Sequence, residues 1–103
     1  MINLKNYIAE TVNGGPVTVI ETGDNQTLLL TSITINGGNE GGEIKLTITN
    51  KDTEIPFEMS FTVDTNDVMI IDSKMTMTQQ AKMLAEASNP GMHIMVSAAE
   101  FSN

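Results

Sequence analysis

The stretch from Thr27 to Asn50, TLLLTSITINGGNEGGEIKLTITN, decides what kind of chain this is. Ile33 and Ile35 alternate with Thr34 and Asn36, and Ile44, Leu46 and Ile48 alternate with Lys45, Thr47 and Thr49. Apolar residues at every second position describe extended strands with one dry face and one wet face. Between them, Asn36-Gly37-Gly38-Asn39-Glu40-Gly41-Gly42 supplies four glycines, which reach positive φ without steric cost. Two such strands around a glycine-rich turn predict a β-hairpin.

The same alternation recurs on either side. Val17 and Val19 share one face of a strand that follows the Asn13-Gly14-Gly15-Pro16 break. From Ile55 to Val63, Phe57, Met59, Phe61 and Val63 point inward while Glu58, Ser60 and Thr62 point outward. The turn-like residues Asn50 to Thr53 precede this strand, and the turn Asp64-Thr65-Asn66-Asp67 follows it. Val68-Met69-Ile70-Ile71 is apolar on both faces, which places it centrally in a sheet or beneath a partner. After Asp72-Ser73-Lys74, Met75 and Met77 open another short extended piece.

Residues 78–88, TQQAKMLAEAS, carry two signals. Their residue types favour helix with Thr78 as its cap, yet Met83, Ala85 and Ala87 alternate as in a strand. Asn89-Pro90-Gly91 fits a type II turn of the kind that joins adjacent strands. Met92, Ile94, Val96 and Ala98 share one face of a last strand, and residues 100–103 are expected to form a loose tail. Residues 1–15 fit an N-terminal arm, a first strand or a short amphipathic helical turn, and residues 16–103 a single domain. Seven to nine short strands, with at most one short helix near 78–88, predict an all-β chain: an antiparallel β-sandwich or a barrel-like relative of one.

Composition narrows the function. Thirteen acidic residues face five lysines and no arginine, for a net charge of -8, with one tyrosine, three phenylalanines and no tryptophan. Nucleic-acid binding needs cationic side chains and stacking aromatics, and anionic membranes need cationic ones, so neither partner is expected. The acidity reads as a solvated surface. With no cysteine there is no disulfide or thiolate metal site. No apolar run reaches transmembrane length, and the N-terminus lacks the features of a signal peptide, so the mature chain is expected to start where the sequence does.

No catalytic, cofactor-binding or metal-ligating set emerges, and no enzyme is expected. His93 is the single histidine, placed outward beside Met92 and Ile94, and no nucleophile motif accompanies it. Asp64, Asp67 and Asp72 lack the spacing of a calcium loop, and the glycine pairs lack the lysine of a phosphate loop. Met75, Met77, Met83 and Met92 suit a core. Met95 lies on the face opposite Ile94 and Val96, and with His93 it suits a subunit contact.

The run VTVIETGDNQTLLLTSITINGG, followed by EIKLTITN, resembles a segment common in small structural proteins of tailed bacteriophages. DTNDVMIIDSKMTMT resembles that family's extended strand followed by a short one. KMLAEASNPGMHIMVSAAEF resembles its closing hairpin, which ends in a small residue and glutamate, here Ala98-Ala99-Glu100. The likeness spans residues 17–101 and departs at Gln79-Gln80-Ala81, where the family carries glycine and aspartate. It favours strand over helix at 78–88. It implies a β-sandwich virion protein made in the bacterial host cytoplasm, above all a capsid decoration (cementing) protein on the outer surface of the shell. A neck or tail accessory protein is the alternative.

The implied partners are the major capsid protein or other virion proteins, together with further copies of the chain, a trimer being favoured. No cofactor is implied. On this reading Ile2, Leu4, Tyr7 and Ile8 form the shell contact, and His93 and Met95 the subunit contact. The rival from another class is a carbohydrate-binding surface module, against which stand the missing tryptophan and the single tyrosine.

Overall fold

Period-two alternation becomes nine strands, and no helix, among residues 2–50 and 56–102, which a computed structural model describes. In order these are β1 (Ile2–Glu10), β2 (Val17–Glu21), β3 (Gln26–Asn36), β4 (Gly42–Thr49) and β5 (Phe57–Val63). There follow β6 (Val68–Asp72), β7 (Thr76–Met77), β8 (Lys82–Ala87) and β9 (His93–Ser102). They form two antiparallel sheets, a first with the order β1-β9-β3-β6 and β7 also against β3, and a second with the order β2-β8-β4-β5. The β-sandwich expected from the pattern is thus observed, and residues 82–87 are strand rather than helix.

The chain changes sheets at most of its links, so sequence neighbours lie opposite one another instead of side by side. Only β4–β5 is a pair of consecutive, hydrogen-bonded strands. Two interleaved four-stranded sheets of this order make an eight-stranded jelly roll, with β7 as a supplement. The core lies between the sheets. Leu28, Leu30, Ile33 and Ile35 of β3 and Ile94 and Val96 of β9 meet Ile44, Leu46 and Ile48 of β4 and Met83 and Ala85 of β8. Each fully buried aliphatic chain here contributes about 1.5–3 kcal/mol.

The hairpin expected at residues 27–50 does not form. Both strands exist, but β3 pairs with β9, β6 and β7 while β4 pairs with β5 and β8. Alternation records which face of a strand is dry, and a strand opposite satisfies that as well as a strand alongside. Residues 37–41 therefore bridge the sheets, and residues 64–67 bridge them in the reverse direction directly against the first crossing. Gly37 N donates to the Asp67 carbonyl (2.9 Å), and Asn66 N donates to the Gly38 carbonyl (2.7 Å). A Cβ on Gly37 would overlap the Asp64 carbonyl oxygen, and one on Gly38, at φ 67°, would overlap that of Gly91. The glycines serve close backbone approach between crossings.

The expected closing hairpin is corrected in the same way. Gly91 has the positive φ of 80° that a type II turn needs, yet the link joins β8 and β9 across the two sheets. Buried Thr11 holds this link: its hydroxyl donates to the Asn89 carbonyl and accepts from Met92 N, both at 3.0 Å.

Two bulges reconcile sequence spacing with one core. Leu28 and Leu30 occupy even positions and Ile33 and Ile35 odd ones, yet all four are buried. The register of β3 against β9 shifts between Leu30 and Ser32, so Thr31 absorbs the change of parity. Opposite this bulge the other edge is broken as well: Ser73 N donates to the Thr31 carbonyl (3.2 Å) between β6 and β7. A second shift between Thr18 and Ile20 lets Val19 and Ile20 both face the core, where Val17 and Val19 alone were expected.

Other expectations are altered. β6 lies at a sheet edge with Val68 and Ile70 exposed, so of its two expected placements, central or beneath a partner, the central one is excluded. Residues 100–102 of the expected loose tail are strand, since β9 runs to Ser102 and Glu100 is buried, and Asn103 lies outside the described residues. Phe57 faces inward but is exposed, because burial along β5 is complete only at Val63. Of the expected turn at 50–53 and the strand start at Ile55, residues 51–55 lie outside the described residues.

Replacing Gly37 by alanine is expected to destabilise the fold by about 2–4 kcal/mol, lowering Tm by roughly 10 °C or more. Gly14→Ala, at φ 86° in open space, costs only about 1 kcal/mol. Thermal unfolding followed by circular dichroism separates the two.

Candidate interaction face

The two sheets turn different chemistry to solvent. On the second sheet the outward positions are Glu43, Lys45, Thr47 and Thr49 of β4, Lys82, Leu84 and Glu86 of β8, and Glu58, Ser60 and Thr62 of β5. Lys45 and Glu86 stand opposite one another, Nζ to Oε1 at 3.8 Å. Such a surface is at home in water.

The outward face of the first sheet differs. One row across it runs Ile8, Met95, Thr34, Ile70, one residue from each of four strands in direct register. A second row is Leu4, Ala99, Leu29, and beside it Ile2 faces Phe101. A polar row of Asn6, Ser97 and Ser32 separates them, with Ser97 Oγ 2.9 Å from Asn6 Oδ1. Leu4 is 86% exposed, Ile8 71%, Ile70 69% and Ile2 62%. Glu10, His93 and Asp72 are the charged or titratable residues on these strands' outward positions, and all sit toward the margins. At one end His93 Nε2 approaches Glu10 Oε1 at 2.7 Å across the β1–β9 register.

The residues expected to form two separate contacts are largely brought together. Ile2, Leu4 and Ile8, read as a shell contact, lie on the same face as His93 and Met95, read as a subunit contact, and Ile8 is the register partner of Met95. Tyr7 does not join them. It faces inward opposite Val96, half-buried against the core with Ala9. Val68 and Ile70 also belong to the face, on the strand whose two apolar sides were read as suiting a place centrally or beneath a partner, though neither residue was named as a contact. Asp64, Asp67 and Asp72 do not converge: Asp67 Oδ1 accepts from Val68 N (2.9 Å) as a turn cap, and the described residues contain no cluster of three ligating side chains.

β1 carries much of this face and is fastened by a buried carboxylate. Glu100, 7% exposed, accepts from Lys5 Nζ (3.2 Å), Gln26 Nε2 and Asn3 Nδ2 (3.5 Å), joining β1, β3 and β9 at the far end of the sandwich. Lys5 and then Gln26 hold the Glu100 carboxyl below its ordinary value of 4.5, against the opposing effect of desolvation.

No protein-family model and no curated protein matches the sequence. Among solved structures, the chain is similar to the core of Drosophila NLP, described for pentamer formation and histone binding. That likeness has a TM-score of 0.59 at 9% identity and covers 96% of this chain and 98% of that one. A likeness to an acid-stable capsid structure of Helicobacter pylori bacteriophage KHP30 has a TM-score of 0.48 at 12% identity, over 98% of this chain and 93% of that one. A third, to infectious bursal disease virus of the Gx strain, also scores 0.48, at 7% identity, with 97% of this chain on 36% of that one. At such identities the similarity to NLP is one of fold.

Because the folded-state pKa of Glu100 is depressed, its stabilisation is present above the ordinary carboxylate value and is lost as pH falls through the lowered one. Urea unfolding at stepped pH is expected to show a loss of stability below about pH 4.5 that is smaller in Glu100→Gln, which cannot titrate there.

Proposed function

We propose that this chain is a non-enzymatic structural protein of a bacteriophage virion, a capsid decoration protein on the outer shell. The observation that carries the reading is the contrast between the two sheets: an apolar face, poor in charge, opposite a charged one. Large exposed apolar patches mark contact surfaces with other proteins. The jelly roll is an architecture that viral shells use, though lectins and other proteins use it too. The sequence resemblance to small phage structural proteins selects among these. A net charge of -8 suits an outer surface and would be unfavourable beside packaged DNA.

A carbohydrate-binding module is the weaker reading. Sugar platforms use flat aromatic rings, whereas this face offers aliphatic side chains and the single ring of Phe101. An enzymatic role has no observation in its favour.

Removing residues 1–12 is not a clean test of a shell contact. β1 pairs with β9 along its whole length, and Tyr7 and Ala9 cover the core, so the deletion would also disturb the sandwich. Incorporation is the better measurement. Expressed with the head genes of its own genome, the chain is expected in gradient-purified expanded heads, in amounts comparable with the major capsid protein by quantitative mass spectrometry. A few copies per particle would move the role to the neck or tail, and absence from particles would overturn the virion reading.

A further inference from the structure

We propose that the outward face of the first sheet is the contact between copies of this chain, so that the protein is a homo-oligomer built on the Ile8–Met95–Thr34–Ile70 row. This goes beyond the virion reading and does not depend on it. The first reason is charge. Each copy carries a net charge of -8, so copies repel over most orientations. The outward face of the first sheet is where charge is sparsest: its carboxylates are Glu10, at the end beside His93, and Asp72 at the β6 margin. The second sheet turns three carboxylates and two lysines outward on β4, β5 and β8, and a contact there would strip their hydration. A cationic partner, conversely, would find little here to attract it.

The second reason is extent. Strands of nine, ten, eleven and five residues, about 4.8 Å apart and rising about 3.3 Å per residue, make a face of about 550 Å². That is near the roughly 800 Å² per partner of a stable protein–protein interface, and interfaces between identical subunits are the more apolar kind. The third reason is β6. A strand apolar on both sides, lying at a sheet edge, buries Met69 and Ile71 partly against the core and leaves Val68 and Ile70 in water. A second copy on this face gives Ile70 and Ile8, at opposite edges of the sheet, the same dry environment.

Ile8 and Ile70 make a clean test because both project away from their own core. Their replacement by glutamate leaves the monomer's packing intact, which far-UV circular dichroism and the melting transition check. Sedimentation equilibrium of the wild-type chain at tens of micromolar is expected to give an integral multiple of the 11.1 kDa chain mass. Ile8→Glu and Ile70→Glu are expected to weaken association at least tenfold, and Thr18→Glu, outward on the second sheet, to leave it unchanged. A wild-type monomer throughout that range would overturn the proposal. An oligomer indifferent to both glutamates, or broken equally by Thr18→Glu, would overturn it too. A monomer that nonetheless enters phage heads, and loses entry through Ile8→Glu, would assign the face to the shell instead.

Discussion

Everything in this molecule depends on one burial: the inner side of β3 and β9 against the inner side of β4 and β8. Those strands form the middle of each sheet, and their aliphatic side chains exclude water from a single layer between them. The remaining strands extend that layer to its margins, where burial fades, as it does along β5 from Val63 back to Phe57. A chain of 103 residues has little to spare beyond such a layer. The consequence is a topology in which most links cross from one sheet to the other.

Crossing links crowd one end of the sandwich. Residues 37–41, residues 64–67 and the link after β8 meet there through main-chain hydrogen bonds, with Thr11 closing the set. Backbone packed on backbone leaves no room for Cβ atoms at Gly37 and Gly38. At the other end the fastening is electrostatic, a buried Glu100 drawing Lys5, Asn3 and Gln26 onto one carboxylate. Between these two ends β1 is held as an edge strand along β9, and this pairing puts Ile2, Leu4, Ile8, Met95 and Ile70 on one outward face.

That face links the fold to function. Its side chains are aliphatic and its charges marginal, so it favours contact with another protein surface over contact with a small ligand. Burial of these side chains against a complementary surface is favourable for a second copy and for a shell alike. The family resemblance implies a shell contact in the N-terminal residues Ile2–Ile8 and a separate subunit contact at His93 and Met95. Antiparallel pairing of the first strand with the last brings them into register, and the separation disappears.

Much of the fold was legible from alternation alone: the strands around Ile33, Ile44, Phe57 and Ile94, the inward set Met92, Ile94, Val96 and Ala98, and the outward position of His93. Residues 82–87 needed the family resemblance to tip them from helix to strand. Pairing was not legible. Side-chain period is a property of one strand, and it is satisfied equally by a neighbour in the same sheet or by one facing it across the core. The glycines after Asn36 therefore read as a hairpin turn until the approach of residues 64–67 revealed a different requirement for small residues. The parity change at Thr31 and the burial of Glu100 likewise depend on partners some seventy positions away. By itself the sequence determined which residues are dry and that the chain is all β, because hydrophobic periodicity is local. Only the tertiary structure decided who faces whom, because strand pairing and shared surfaces arise from contacts between distant segments.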